Sequence, residues 1–203
     1  MDDRYFYEPR QGHALAHNPI ASIVGPRLIG WISTVGEDGR LNLAPYSFFG
    51  IFNYAPPIVA FASDGVKDSL ANALRVGEFV VNTVTEELAE AMNVSSTSAR
   101  EDEFVLAGLA SAPSRLLRTP RVARSPVALE CRVIEGKQLR DVHGDTVDSW
   151  LLMGEVVGVS VDSRLVASGT FDWTDIRRVL RAGGPSDYHW VGNENLMRMK
   201  RPA

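Results

Sequence analysis

Short runs of apolar residues, typical of β-strands, recur along most of the chain, and turn residues separate them. Gly36 to Arg40, with Asp38 and Gly39 at its centre, predicts a hairpin-type turn after the first of these runs. Many short strands with few helices predict a mainly β fold, a closed or partly closed antiparallel barrel. The strand-like runs span residues 28–35, 41–52, 57–63, 78–84, 126–135 and 150–161.

Three segments predict helices. The first spans residues 69–76 and ends at Gly77, a typical left-handed terminator. Thr85 is placed to cap the second, over residues 86–92, and Ser98 with Glu101 forms a capping-box pattern ahead of the third, over residues 102–109. With no repeat and no visible boundary, we expect one domain over residues 1–203. It has an irregular N-terminal arm at 1–27 and a C-terminal extension from about 181 to 203.

Composition excludes several classes of protein. A net charge of −4 and a pI near 5.6 argue against a nucleic-acid or anionic-membrane partner. The single cysteine, Cys131, excludes an intramolecular disulfide and a cysteine zinc site within one chain, and its strand context predicts a small buried hydrophobe. No signal peptide or membrane-length apolar run is visible, so we expect a cytoplasmic protein.

A turn rich in polar residues ends in Lys67, Asp68 and Ser69 and opens directly into the first predicted helix. The free N–H groups and dipole of a helix start attract an anion, and the Lys67 ammonium with the Ser69 hydroxyl would complete a phosphate cradle. The plainer alternative is that Asp68 or Ser69 is an N-cap and Lys67 a solvated charge. On this motif alone the plainer alternative is the commoner one.

A proline interrupts the second strand-like run, in Ala44, Pro45, Tyr46 and Ser47. Proline cannot donate to a sheet ladder, so neighbouring backbone groups are free to read the edge of a flat heteroaromatic ring. The alternative is an edge strand with a bulge. Together with the phosphate motif, this stretch points to one ligand with a phosphate and a planar ring, as flavin mononucleotide (FMN) has.

Residues 25–63 and 67–96 resemble the flavin reductase-like family, the FMN-binding split β-barrel (flavoredoxin-like) proteins, and the likeness continues through "DEFVLAGL", "PVALECRV", "LLMGEVVGVSVD" and "RAGGPSDY". The resemblance implies a Greek-key split barrel and a homodimer with FMN near the subunit interface. It also implies electron transfer from NADH or NADPH to flavin, oxygen, a partner monooxygenase or another acceptor. The positions that match the family's flavin-binding pattern are Ser33, Thr34, Asn42, Ala44, Pro45, Ser47, Lys67, Asp68, Ser69, Gly183, Gly184 and Tyr188; Tyr46 lies within the same stretch.

The chain departs from the family at two places. The usual Pro-Arg-Pro-Ile reads Pro26, Arg27, Leu28, Ile29, which alters only the strand entry. The Gly-Asp-His of NADH-using members is replaced at residues 147–149 by Val-Asp-Ser. This second departure weakens the case for direct NADH use and keeps open a rival interpretation, an FMN-binding electron-transfer or flavin-storage module. A split barrel binding haem or pyridoxal phosphate is a third, less favoured interpretation.

The other candidate residues give weaker evidence of a functional role. His13 and His17 have a helical metal-ligand spacing without a third ligand, so a loop pair is the better interpretation. His143 is expected in a solvated turn, and His189 with Trp190 is expected to pack. Phe48 and Phe49 suit the core as well as a ring-stacking surface. No catalytic triad, paired carboxylates or proton donor stands out, so the catalytic residues stay unassigned.

Overall fold

The computed structural model describes residues 3–97 and 101–202 and shows a mainly antiparallel β protein with a few short helices. The strands are β1 Arg27–Leu28, β2 Gly30–Val35, β3 Leu41–Tyr46, β4 Phe49–Tyr54, β5 Pro57–Asp64, β6 Glu78–Asn82, β7 Ser111–Ala112, β8 Arg121–Val122, β9 Val127–Arg140, β10 Thr146–Val161, β11 Val166–Ala167, β12 Thr170–Phe171, β13 Arg178–Arg181 and β14 Tyr188–Val191. The helices are α1 Ile20–Ile23, α2 Asp68–Val76, α3 Ala89–Val94 and α4 Glu103–Leu106.

The main sheet is a barrel that does not close. Its seven strands run in the order β3-β2-β6-β9-β10-β5-β4, and every neighbouring pair is antiparallel. The edge strands β3 and β4 are consecutive in the chain, separated only by Ser47 and Phe48. The sheet must therefore curl until its edges meet at these residues, although the described residues show no pairing between β3 and β4. The predicted Greek-key split barrel is confirmed.

Two large apolar clusters lie one on each face of β2, which explains why all six of its residues are buried. Ile32 faces the barrel interior with Phe61, Phe79 and Leu152. Trp31 faces the other way, into a cluster whose further members come mainly from β3, β13 and the helical segments: Leu43, Val84, Leu88, Met92, Phe104 and Val179. A strand covered on both faces reads as a continuous apolar run rather than an alternating one.

Two buried carboxylates hold the Pro-containing link at residues 112–126 against the barrel. Glu130 accepts the backbone N–H groups of Arg115 and Leu116 at 2.9 and 2.7 Å. Glu78 accepts both the N–H and the hydroxyl of Thr119, at 2.8 and 3.0 Å. The link thus satisfies backbone donors that would otherwise be buried without partners.

The helix ends follow the predictions in part. Gly77 has the left-handed φ of 81° expected of a terminator. Thr85 makes no side-chain capping bond, and the segment after it splits into a 3₁₀ turn, Glu86–Leu88, and α3. The predicted cap Ser98 lies outside the described residues. The cap of α4 is instead Asp102, whose carboxylate accepts the Phe104 N–H at 2.8 Å.

A small sheet, β1-β13-β14, joins the two ends of the chain. The Arg181 guanidinium donates to three carbonyls of the turn between β13 and β14, those of Gly184, Pro185 and Asp187. The N-terminal arm is not wholly irregular, because it contains a 3₁₀ turn, Pro9–Gln11, and the single turn of α1. No helix in residues 3–97 and 101–202 has the length and apolarity to cross a bilayer.

Candidate functional site

A pocket of about 430 Å³ opens at the split of the barrel. Its lining comes from the β3–β4 junction, the end of β5 with the turn after it, and β10. The lining residues are Pro45, Tyr46, Ser47, Phe48, Ala62, Ser63, Asp64, Lys67 and Ser149. The structure therefore brings Pro45, Tyr46, Ser47 and Lys67, which come from the two motifs singled out in the sequence, to one cavity.

The start of α2 borders this pocket without a side-chain cap. Lys67 itself occupies the N-cap position in an extended conformation, with φ −96° and ψ 170°. The first intrahelical acceptor is the Lys67 carbonyl, bonded by the Ala71 N–H at 2.9 Å. Neither Asp68 nor Ser69 caps the helix, so the simple capping alternative does not hold. Among the described residues no carboxylate forms an ion pair with Lys67, so its ammonium and the uncapped helix start are available to an anion.

Polar residues under the helix start are bonded to one another. Asn42 donates to the Ser69 hydroxyl oxygen at 2.7 Å and to that of Thr34 at 3.3 Å. Thr34 also accepts from the Asn72 amide at 3.3 Å, which ties α2 to β2. Thr34, Asn42 and Ser69 are all buried. These side chains therefore brace the start of α2 from inside the barrel.

Tyr46 joins that bracing network to the pocket wall. Burial is the main influence on its phenol and raises the pKa, while hydrogen bonds with Ser69 and Ser63 act in the opposite direction more weakly. The Tyr46 ring lies 4.6 Å from that of Phe61, centroid to centroid. The neutral phenol, packed on Phe61, forms part of this side of the pocket.

Leaving aside Gly183 and Gly184, seven of the eleven residues predicted to bind the cofactor do not line the pocket. Thr34, Asn42 and Ser69 brace the helix start, and the other four are Ser33, Ala44, Asp68 and Tyr188. Ser33 is fully buried; its hydroxyl donates to the Pro120 carbonyl at 2.7 Å and accepts from Asn82 at 3.2 Å. Ala44 packs against the barrel core. Asp68 is exposed and borders a different, polar cavity of about 100 Å³.

Tyr188 also lies outside the pocket lining, on β14 opposite Arg181. The Arg181 guanidinium sits over its ring, 4.8 Å from the centroid. Arg181 pairs in turn with Arg27, whose guanidinium lies 5.4 Å from the centre of the Phe48 ring. Tyr188, on β14, is thus separated by strand β13 from β1, the strand that carries Arg27 near Phe48. Gly183 and Gly184 form the turn before it, which packs on Ser22.

The segment that departs from the family, residues 147–149, borders the pocket. Ser149 is a lining residue and pairs with Asp64 across β10 and β5. The Asp148 carbonyl accepts the N–H of Gly65, which has a φ of +76°. Sequence reasoning did not place Ala62, Ser63, Asp64 or Ser149 at the site; the cross-strand register that brings them there is a long-range property.

The remaining side chains singled out in the sequence have local roles. His13 and His17 lie in irregular chain rather than on a helix, and His13 accepts the Leu15 N–H at 3.0 Å. His143 lies exposed in the turn between β9 and β10. Cys131 is buried in the barrel core as predicted, and burial raises the pKa of its thiol.

Glu103, which borders the polar cavity beside Asp68 rather than the pocket at Lys67, gives the stability of the fold a testable pH dependence. Its carboxylate accepts the Leu43 N–H at 3.2 Å, and burial, the main influence, raises its pKa in the folded protein. A raised folded-state pKa means that the ionised form costs stability above that pKa, and that the cost vanishes once pH falls below the unfolded value. We expect Glu103→Gln to increase the free energy of unfolding near pH 7, and the increase to disappear as pH falls through the acidic range.

Urea unfolding from pH 7 to pH 4 measures this difference, with the exposed Glu37→Gln as the matched control. A stabilisation by Glu103→Gln that is equal at both ends of the range would contradict it.

Comparison with known proteins gives the pocket a family context. The profile described as "Flavin reductase like domain" matches residues 25–177, about three quarters of the chain. That span contains all nine pocket-lining residues.

The solved structures that are similar to this chain include the following three. The 2-nitrobenzoate 2-nitroreductase NbaA of Pseudomonas fluorescens is 28% identical, with a TM-score of 0.80 over 90% of this chain and 88% of that one. Nitrilotriacetate monooxygenase component B of Bacillus cereus is 25% identical, with a TM-score of 0.81 over 91% and 98%. A split-barrel-domain protein of Shewanella frigidimarina, 22% identical with a TM-score of 0.78 over 93% and 95%, supports the fold.

Proposed function

Because the chain belongs to the flavin reductase-like family, we propose that it is an FMN-binding oxidoreductase that passes electrons from NADH or NADPH to flavin or to a downstream acceptor. The observation that carries this proposal is the single pocket in which Lys67 faces the proline-interrupted edge of β3. A cation at an uncapped helix start suits a phosphate, and a strand edge opposite it suits a planar ring.

The residues present fit FMN. Lys67 and the backbone N–H groups at the start of α2 would hold the phosphate, with Ser69, Thr34 and Asn42 keeping that helix start in position. The backbone of residues 44–47 would lie along the isoalloxazine ring, and Phe48, 60% exposed, would cover the outer side. Bound FMN would supply the redox chemistry, because it accepts and donates both hydride and single electrons.

The protein's own tasks are to anchor the phosphate, present one ring face and exclude water from the other. Tyr188 stays a prediction, at the edge of this arrangement.

A second candidate, an FMN-binding electron-transfer or flavin-storage module, is favoured by one specific observation. Ser149, at the end of the segment that replaces Gly-Asp-His, lines the flavin pocket itself. The replacement of Gly-Asp-His by Val-Asp-Ser therefore lies at the pocket, where a nicotinamide donor would have to approach the flavin ring. Such a module would bind FMN and exchange electrons with a protein partner, without turning over NADH or NADPH.

A second copy of the chain is proposed as a partner. The outer strand β4 pairs on one side only and exposes Ile51, Phe52 and Tyr54 to 53%, 65% and 86%. Apolar edge strands are normally covered, and a homodimer would cover this one beside the flavin pocket. A monooxygenase is proposed as an electron acceptor, because the similar protein of Bacillus cereus is a monooxygenase component.

Two measurements on the purified protein test these proposals. FMN titration should show saturable binding, and steady-state oxidation of NADH and NADPH with added FMN should show turnover with at least one of the two. Saturable FMN binding without turnover would favour the module. No FMN binding at all would overturn both candidates.

A further inference from the structure

A second, smaller cavity of about 150 Å³ is lined mainly by residues of β1, β4, β6, β9 and β13. Its wall is mostly apolar and includes Leu28, Ile29, Phe49, Val84 and Leu129. Arg178, at the start of β13, is its one charged lining residue within the described part of the chain, and it also borders a neighbouring cavity of about 350 Å³ beside β14. No lining residue is shared with the pocket at Lys67, although Phe49 directly follows Phe48, which lines that pocket.

Arg178 differs from the arginines beside it in having no partner. Arg177 forms ion pairs with Glu86 and Glu194, at 2.6 and 3.1 Å, and Arg181 donates to three backbone carbonyls. Arg178 has neither an ion pair nor a side-chain hydrogen bond among residues 3–97 and 101–202, and it is only partly exposed. Burial alone lowers the pKa of its guanidinium, with no neighbouring carboxylate to oppose that effect.

Arg178 is only partly exposed, so its guanidinium has lost part of its water without gaining a counter-charge or a protein hydrogen bond from the described residues, and a ligand carboxylate would supply that counter-charge. The usual counterpart of arginine in such a place is a carboxylate, which accepts two parallel N–H bonds from the fork of the guanidinium. Since the described part of the chain supplies no carboxylate here, a ligand is the natural source of one.

We propose that this cavity binds a small organic carboxylate, with the carboxylate on Arg178 and an aromatic or branched apolar body against Ile29, Phe49 and Leu129. The site goes beyond the proposed flavin chemistry and does not depend on it. It shares no lining residue with the pocket at Lys67.

The cavity favours a compact monocarboxylate over a nucleotide. Its volume is about a third of that of the pocket at Lys67, and its single cation is surrounded by aliphatic and aromatic side chains. Its two polar lining residues besides Arg178 are Asn82 and Thr83, and the Asn82 amide is already bonded to Trp31, Ser33 and Val122. A dinucleotide would need further donors for its phosphates.

Benzoate and its uncharged analogue benzamide are suitable probes, measured by calorimetric titration of the full chain. We expect benzoate to bind and benzamide to bind at least tenfold more weakly, since a charge-assisted hydrogen bond contributes about 1.5–3 kcal/mol. Arg178→Gln should weaken benzoate binding by a similar factor and leave benzamide unchanged. Arg198→Gln, a charge-matched change in the C-terminal coil, should leave benzoate binding unchanged.

Several results would overturn the site: no benzoate binding to the unaltered protein at millimolar concentration, equal binding of benzoate and benzamide, or full benzoate binding by Arg178→Gln. The comparison of the two probes uses the unaltered protein, so it remains decisive even if Arg178→Gln fails to fold. Displacement of benzoate by FMN would show that both ligands bind in the same cavity. That result would also overturn the proposal of a separate carboxylate site. Titration with FMN alone tests the proposed flavin site, and its result does not affect the interpretation of the benzoate measurements.

Discussion

Replacing Phe61 with alanine is expected to lower the free energy of unfolding by about 3–5 kcal/mol, the range for truncating a fully buried phenylalanine. Phe61 is completely buried and packs between Tyr46, at 4.6 Å between ring centroids, and Phe79, at 5.5 Å. The cavity left behind would lie directly under the wall that Tyr46 gives to the pocket at Lys67. Urea unfolding at neutral pH measures the loss.

Phe6→Ala is the matched control, because Phe6 is 82% exposed and its truncation should change stability by less than about 0.5 kcal/mol. A Phe61→Ala variant that loses under about 1 kcal/mol would mean that the three rings do not form the packed centre of the barrel.

Lys67→Ala is expected to weaken FMN binding by about 1–3 kcal/mol, roughly five- to 150-fold, because it removes a charge-assisted contact to the phosphate. Lys67 is exposed, so the substitution should leave stability nearly unchanged. Riboflavin lacks the phosphate, so its affinity should hardly change. Fluorescence titration of both flavins against both proteins measures the four affinities.

Lys200→Ala, which removes the same charge from the C-terminal coil, serves as the control and should bind FMN like the unaltered protein. If Lys67→Ala lost affinity for FMN and riboflavin equally, Lys67 would be acting on the shape of the pocket rather than on the phosphate.

Local patterns in the sequence predicted the turns, helix ends and strands, because these depend on the conformational preferences of neighbouring residues. The left-handed end of α2 at Gly77 and the turn at Gly39 follow from the conformational freedom of glycine, and both are present. Apolar runs located the main strands. Pro45 indicated an edge strand, and β3 is one, pairing only with β2.

Other features depend on contacts between distant residues, which local patterns do not contain. Glu78 and Glu130 look like ordinary strand carboxylates until the link at 112–126 folds over them and supplies their donors. Ser33 and Thr34 lie on a strand that is covered on both faces, so their hydroxyls meet protein partners. Ser63 and Ser149 reach the pocket only through the register of β5 with β10.

The site itself was partly predictable for the same reason. The sequence indicated a phosphate-binding helix start at Lys67 and a free strand edge at Pro45, and each motif is short and local. That the two face each other across one cavity depends on the curl of the whole sheet, which joins its edges at Ser47 and Phe48.

A crystal structure of the protein grown with excess FMN tests the central claim most directly. The account predicts the phosphate at the start of α2 within hydrogen-bond distance of the Lys67 ammonium, and the ring along residues 44–48. A flavin bound elsewhere, or an empty pocket at saturating FMN, would contradict it.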